Sequence, residues 1–195
     1  MMRKKLIIIS MALLLSGGSL VAADKLFQKV TILYNNNKLQ ADDGLLVDDK
    51  IYINIRSLSE PLQAFIQWKS SEKRLIIQKP NVHMFLMNEK RTMFGQVDKG
   101  TTQKFLVQAQ IDNLNLEIDS FKVMIVDPND KETVIDSRNQ KDNDFKEFVE
   151  KDTFWFSSKV ITYDFKYAGK YRLQFWMEQK NGDPQIISEK VITAK

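Results

Sequence analysis

The sequence contains no cysteine and only one histidine, His83. Without cysteine, the chain has no disulfide framework, no lipid-anchored cysteine and no thiol nucleophile. A metal centre built from imidazoles needs about three histidines, and a Ser-His-Asp triad would have to form around His83 alone. The motifs G-x-S-x-G, Walker A and G-x-G-x-x-G are also missing. We therefore expect no enzyme activity, no metal and no cofactor, and we expect His83 on the exposed face of a strand.

Apolar runs long enough to cross a membrane are missing as well. The longest run, Leu6 to Leu15, follows three basic residues and precedes a stretch of small residues. It is shorter than the roughly 20 residues that a transmembrane helix needs, and this order of segments is typical of a secretory signal peptide. We expect residues 1–23 to be the signal, with cleavage after Ala23, no membrane span afterwards and a secreted or cell-wall-associated product.

A strong charge of one sign is missing too. The chain has 29 Lys and Arg against 25 Asp and Glu, and three of the basic residues belong to the predicted signal. A nearly neutral mature chain lacks the electrostatic field that attracts nucleic acid. We therefore expect no nucleic-acid partner.

Beyond the signal, the chain alternates apolar and polar residues in short runs separated by Asn, Asp, Gly and Lys. This period of two predicts a mostly β protein. We divide it into an α+β module with one short helix at 24–98, a linker at 99–103 and an immunoglobulin-like β-sandwich at 104–195. The asparagines at 35–37 and the aspartates at 48–49 predict tight hairpin turns in the first module.

One late sandwich strand carries a further signal in "YAGKYRLQF". Tyr171 follows Gly169 by two residues and opens an alternating strand. This arrangement resembles a tyrosine corner, in which the phenol bonds to backbone upstream. The alternative is an ordinary hairpin in which a tyrosine follows a glycine.

The first module breaks its β pattern at "RSLSEPLQAF". Ser57 and Glu60 have the spacing of a capping box at a helix start. Arg56 has no obvious packing role, and we expect it to pair with a carboxylate and brace that start. The next stretch, "FIQWKSSEKRLII", predicts a hairpin that carries Trp68. The apolar residues that we expect to form one small core with Trp68 are Ile51, Ile53, Ile55, Leu58, Leu62, Leu75 and Ile77.

Residues 30–79 resemble the copper amine oxidase N-terminal-like domain, a small αβ module common in secreted proteins of Gram-positive bacteria. Arg56 before the apolar helix and Trp68 in the closing hairpin occupy the family's characteristic positions. Asn54 departs from the pattern, which usually has proline there, and "QAF" replaces a turn that usually ends in glycine. The resemblance implies a stalk or accessory module separate from any catalytic domain. It does not imply amine oxidation, because the histidines that would bind copper are missing.

Residues 137–153, "SRNQKDNDFKEFVEKDT", are the one stretch of the sandwich that departs from the β pattern. Asp144 and Glu147 predict a capped short helix with Phe145 and Phe148 on one face. The segment is either a surface helix that covers the end of the sandwich or a functional loop. The acidic turns nearby could supply oxygen ligands for calcium, although ordinary turn chemistry explains them more simply.

The tryptophans could stack on sugar rings, although aromatic residues in alternating strands are more often core. The segment "TFWFSS" places Phe154 and Phe156 on one face and Trp155 on the other, so Trp155 is the aromatic to examine for exposure. Together with Phe145 and Phe148, Trp155 makes up our candidate binding surface.

These features favour a secreted, non-catalytic binding or structural protein of the bacterial cell envelope or exterior. The expected partner is a cell-wall polymer or an extracellular protein. The alternative is a secreted proteinase inhibitor that acts through an exposed sandwich loop such as 137–153. A third possibility, an enzyme that uses unrecognised carboxylates, would require a polar cleft.

Overall fold

The computed structural model describes residues 27–39 and 44–195, so the predicted signal peptide lies outside the described residues. The fold is mostly β, which confirms the prediction from the period of two. The described residues divide into two compact units, the first ending at Ser57 and the second beginning at Leu58. Among the described helices, none combines the length and the apolar character that crossing a bilayer requires.

The described part of the first unit consists of short strands joined by tight turns. Its strands are β1 (Gln28–Lys29), β2 (Leu33–Tyr34), β3 (Asn37–Lys38), β4 (Gly44–Val47) and β5 (Lys50–Ile53). Strand β4 pairs with β1 and β5, and β2 pairs with β3. The turns at Asn35, Asn36, Asp48 and Asp49 all have positive φ, between 47° and 64°. Both hairpins therefore have the two-residue turns that the asparagines and aspartates predict.

The predicted capping box does not form. A 3₁₀ turn spans Ile55–Leu58, and the four-residue helix α1 spans Ser59–Leu62. The Ser57 hydroxyl lies inside the 3₁₀ turn and donates to the carbonyl oxygen of Asn54 at 2.7 Å, so it does not cap the helix. The capping role that we predicted for Ser57 and Glu60 is therefore wrong, because the tight turn moves the helix start past Ser57.

The predicted bracing role of Arg56 also finds no counterpart in the described part of the chain. Its backbone N–H donates to the side-chain oxygen of Asn54 at 3.2 Å. The side chain is exposed, and it forms no ion pair with any described carboxylate. The turn is thus held by Asn54 rather than by a charge on Arg56.

The second unit contains the remaining elements. They are β6 (Phe65–Lys69), β7 (Arg74–Gln78), β8 (Asn81–Asn88), β9 (Met93–Phe94), β10 (Gln96–Val97), β11 (Thr101–Asp112), β12 (Ile118–Val126), β13 (Glu132–Asn139), α2 (Phe145–Val149), β14 (Phe154–Ser157), β15 (Ile161–Phe165), β16 (Gly169–Gln179) and β17 (Pro184–Ala194). One five-stranded sheet has the order β10-β17-β16-β12-β13. The other has the order β14-β11-β8-β9, and β15 also pairs with β11. Their buried faces share one hydrophobic core, as expected of a β-sandwich.

Three apolar residues of the β6-β7 hairpin that we assigned to a small core are exposed, which contradicts that prediction. Trp68, Leu75 and Ile77 lie on one face of the hairpin and are 49%, 42% and 49% exposed. In the first unit, Ile51 and Ile53 are 60% and 39% exposed. Among the described strands, none pairs with the outer edges of β6 or β7. Alternation predicted this face correctly but not its burial.

The division between domains also differs from the predicted one at 99–103. Strand β8, which we assigned to the first module, pairs with β11 along its whole length and belongs to the sandwich. Its inward residues Val82, Met84 and Leu86 are buried in the sandwich core. The predicted linker overlaps the start of β11. Strands of the sandwich therefore begin before residue 98, with β8. The alternation of apolar and polar residues is weak in this part of the sequence, although the inward residues of β8 are buried.

Tyr171 makes the contact that defines a tyrosine corner. Its side chain is 1% exposed. The Tyr167 backbone N–H donates to the Tyr171 hydroxyl at 2.9 Å, and the hydroxyl donates to the Tyr167 carbonyl oxygen at 3.0 Å. Gly169 has φ +135°, and a Cβ there would lie 3.1 Å from the ring of Pro128. Glycine is therefore required at the bend that brings the phenol back to the backbone.

We predict that Tyr171→Phe lowers the free energy of unfolding by about 1 to 3 kcal/mol, because it leaves the Tyr167 N–H and carbonyl without their partner. Tyr167→Phe is the matched control: the backbone of Tyr167 makes both bonds, so the control should stay close to the wild-type value. Urea unfolding of the three proteins measures the difference. Equal stability of Tyr171→Phe and the control would contradict the role of the corner.

Burial raises the pKa of Tyr163 to about 12, with the neighbouring Tyr171 and Asp127 acting in the same direction. A folded-state pKa above the unfolded value of about 10 favours the neutral phenol. The stability that Tyr163 contributes is therefore present below pH 10 and lost as the pH rises towards 12. Burial raises the pKa of Tyr171 as well, so more than one tyrosine titrates late. We predict that ultraviolet titration of tyrosinate shows a late component near pH 12 that Tyr163→Phe reduces by one tyrosine and Tyr167→Phe leaves at full size. Loss of that component in both variants would contradict this assignment.

Candidate ligand-binding face

A cluster of phenylalanine rings determines which way β14 faces. Phe121 of β12 is 1% exposed. Five rings surround it with centroids 5.0 to 6.1 Å from its own: Phe145, Phe148, Phe154, Phe156 and Phe175. Because the two β14 members of this cluster point inward, Trp155 between them must point outward. Its side chain is 56% exposed, as the alternation predicts.

The strand register places polar and aromatic residues beside Trp155 in two rows. In the first row, Trp155 of β14 lies opposite Gln110 of β11, which lies opposite His83 of β8. In the second row, Ser157, Gln108 and Phe85 follow the same order across the strands. All six point away from the core, because their strand neighbours are the buried ones. We call these six residues the Trp155 face.

The polar groups of the Trp155 face are available to a ligand. The Gln110 amide donates to the Asp112 carboxylate at 3.1 Å. Within the described chain, the side chains of His83, Gln108 and Ser157 and the indole N–H of Trp155 have no hydrogen-bond partner. A flat ring beside unpaired donors and acceptors can stack on the apolar face of a sugar and bind its hydroxyls.

The Trp155 face lacks the groups needed for bond-breaking chemistry. His83 is its one ionisable side chain, and no cysteine, lysine or carboxylate belongs to the two rows. In the described residues, no cluster of three or more His, Asp or Glu side chains could hold a metal ion. The acidic turn after β12 uses Asp127 to accept the backbone N–H groups of Asn129 and Lys131 at 2.8 and 2.9 Å.

Phe145 and Phe148, the other two members of the predicted surface, belong to the core instead. Phe145 is 2% exposed, and Phe148 is half-buried against Phe121 and Phe154. The predicted short helix is present, but its apolar side packs on the end of the sandwich. An apolar helix face gives the same sequence pattern whether it binds a partner or covers its own domain, and here it covers its own domain.

Arg138 holds the 137–153 segment against the sandwich. Its guanidinium contacts Asp136, and its Nε donates to Asp144 at 3.0 Å. Asp144, predicted as a helix cap, makes no side-chain cap. The buried Asp136 also accepts the backbone N–H of Lys159 at 2.9 Å, which ties β13 to the loop after β14. The segment is thus pinned at its start, and its own helix α2 packs on the sandwich.

The other two tryptophans have different surroundings. Trp176 is half-buried on the outer face of the sheet that contains β16. Its indole N–H donates to Gln174 at 3.1 Å, and the amino group of Lys122 lies 5.0 Å from its ring centroid. Trp68 is about as exposed as Trp155 but sits on the β6-β7 hairpin among apolar side chains. Only Trp155 combines an exposed ring with unpaired polar neighbours.

A groove of about 320 Å³ lies beside α2 and is a second candidate site. Its rim groups are already paired, since Lys180 bonds to Glu117 at 2.8 Å and Gln140 bonds to Asp119 at 2.6 Å. The hydrogen bond from Lys180 lowers the pKa of Glu117. A ligand would have to displace these contacts, so the Trp155 face is the better candidate.

Sequence reasoning found Trp155 but missed Gln110, Gln108, Phe85 and His83 as its neighbours. Alternation shows that each of them points outward from its own strand. It does not show which strands pair, or in which register. The sequence therefore indicates which residues of each strand point outward, but not which of them lie side by side on the assembled sheet.

We predict that the fluorescence of Trp155 is quenched by acrylamide several times more strongly than that of Trp176, because Trp155 is exposed and Trp176 lies under Lys122. Variants that keep a single tryptophan, with the other two changed to phenylalanine, isolate each signal. Trp68 is the exposed control and should behave like Trp155. Equal quenching of Trp155 and Trp176 would contradict the orientation of β14.

Comparison of the chain with models of protein families, with curated proteins and with solved structures found no match. The similarity of residues 30–79 to the amine oxidase N-terminal-like module therefore rests on its own sequence pattern. The function of the Trp155 face has to be argued from its geometry.

Proposed function

We propose that the protein is a secreted, non-catalytic binding protein that holds a cell-wall-type polysaccharide on the Trp155 face. The observation that carries this proposal is the exposed indole of Trp155, which lies beside Gln110 and in one row with the unpaired side chain of His83. Sugars present an apolar ring face and a periphery of hydroxyls, and this face offers a matching surface for both. The proposal needs no catalytic group.

The N-terminal part of the chain supports an extracellular role. Residues 1–23 have the order of charged, apolar and small residues that directs secretion. Residues 30–79 resemble a stalk or accessory module of secreted proteins. In this proposal the sandwich supplies the binding face, and the N-terminal module has an accessory role.

The inhibitor alternative draws less support from segment 137–153. A loop that enters a protease cleft has to be exposed and free of its own domain. Here Phe145 of the segment is itself buried in the sandwich core. Arg138 pins the start of the segment through its ion pairs with Asp136 and Asp144. The geometry therefore favours binding through the Trp155 face over insertion of this loop.

We predict that Trp155→Ala weakens retention on purified cell-wall sacculi by about tenfold or more, because loss of a central aromatic contact costs on the order of 1.4 kcal/mol. Trp68→Ala is the matched control, since it removes an equally exposed indole from a different surface. Co-sedimentation of the mature full chain with sacculi measures both. The thermal midpoints of the two variants should stay close to that of the wild type, because neither ring is buried.

A wild-type protein that stays wholly in solution in this experiment would overturn the proposal. Equal loss of binding in Trp155→Ala and Trp68→Ala would also contradict it, because general surface stickiness would then explain the retention.

A further inference from the structure

We infer that the ligand is an uncharged pyranose polymer that crosses β14, β11 and β8 roughly perpendicular to the strands, with about three consecutive sugars in contact. This inference rests on the proposed function and adds the direction, length and charge of the bound segment. It follows from how side-chain chemistry changes along and across the sheet.

Along the strands, the character of the outer face changes from row to row. Next to the Trp155 row on one side lie Asp112 and Asn81, which are polar. On the other side, beyond Gln108 and Phe85, the next row contains Leu106 and Met87, with Met93 of β9 beside them. A sugar chain that followed the strands would have to place hydroxyls over the side chains of Leu106, Met87 and Met93, which cannot bond to them. Such desolvated hydroxyls are costly.

Across the strands, in contrast, the chemistry stays suitable for a sugar. A chain that runs along the first row meets the indole of Trp155, then the amide of Gln110, then the imidazole of His83. Each of these groups stacks on a sugar or bonds to one. The second row adds Ser157 and Gln108 as further polar partners on the same path. The ligand therefore runs across the strands.

The width of the sheet sets the length of the bound segment. Strand β9 pairs with β8 only at Leu86 and Met87, so in the Trp155 row the described sheet extends from β14 to β8. Two strand spacings of about 4.8 Å separate the outer strands, and an extended pyranose chain advances by a similar distance, about 5 Å per sugar. The row therefore holds about three sugars. The twist of the sheet turns its edges away from a longer, straighter chain.

The charge of the face selects the class of polymer. No lysine or arginine lies in the two rows or in the adjoining row of Asp112 and Asn81. Two cations lie beyond the two rows: Lys104 of β11, which faces Glu89 at 3.8 Å, and Arg91, which lines a pocket that also reaches Gln108. Phosphate-rich polymers need several cations to bind them. Carboxylate and amide oxygens suit hydroxyl and acetamido donors, so we expect an uncharged or N-acetylated glycan.

Calorimetric titration of the mature full chain with β-1,4-linked N-acetylglucosamine and glucose oligomers of one to five sugars tests this inference. In at least one series, affinity should rise by about tenfold or more from one sugar to three and change by less than about twofold from three to five. His83→Ala should remove the gain from the third sugar. Met93→Ala is the matched control: it lies on the same sheet face but in the apolar row, so it should bind every oligomer like the wild type.

The possible results separate this inference from the proposed function. Affinity that keeps rising to five sugars, or loss of binding in Met93→Ala but not in His83→Ala, would overturn the crossing direction. Preference for a glycerol-phosphate polymer over both sugar series, or failure of both series to bind, would overturn the uncharged class. In each case, Trp155-dependent retention on sacculi would leave the proposed function standing. Oligomer binding that is unchanged in Trp155→Ala would overturn both.

Discussion

The packing of five phenylalanine rings around Phe121 is the contact on which the rest of the sandwich depends. The rings come from β12, α2, β14 and β16, so a single cluster joins both sheets and the short helix. Each ring contributes large apolar burial and favourable edge or stacked contacts. Because β14 contributes two of these rings, its register is fixed, and a slip by one residue would bury Trp155 and expose both phenylalanines. Packing in the core thus determines which residues of β14 lie on the outer surface.

Polar contacts add to the phenylalanine cluster in holding the sandwich together. Asp136 is buried, and its oxygens accept the backbone N–H groups of Ser137 and Lys159 as well as a bond from Arg138. Such a carboxylate is costly to bury unless it is fully bonded, and here its bonds link β13 to the loop that follows β14. Tyr171 likewise bonds the start of β16 to the loop that precedes it. The contacts of Asp136 hold the loop that follows β14 against β13, next to the strand that carries Trp155.

The sequence predicted local geometry better than tertiary context. Turns at Asn35 and Asp48 and the outward direction of Trp155 depend on a few neighbouring residues, and all were predictable. The cap at Ser57 failed because a 3₁₀ turn competes with the helix start over the same residues. Phe145 was assigned to the surface because an amphipathic helix does not reveal what its apolar side meets. The neighbours of Trp155 depend on the register between distant strands, which no local pattern encodes.

The rigidity of the Trp155 face also bears on how tightly it can bind. Gln108 and Gln110 lie on β11, which is paired on both sides, so binding would order side-chain rotamers but not backbone. Ordering each such side chain costs about 0.5 to 1.5 kcal/mol, which offsets much of what one sugar hydroxyl contributes. A single sugar should therefore bind weakly, and useful affinity has to come from several contacts along one chain. An open sheet face with one indole and two amides is accordingly better suited to a polymer than to a small molecule.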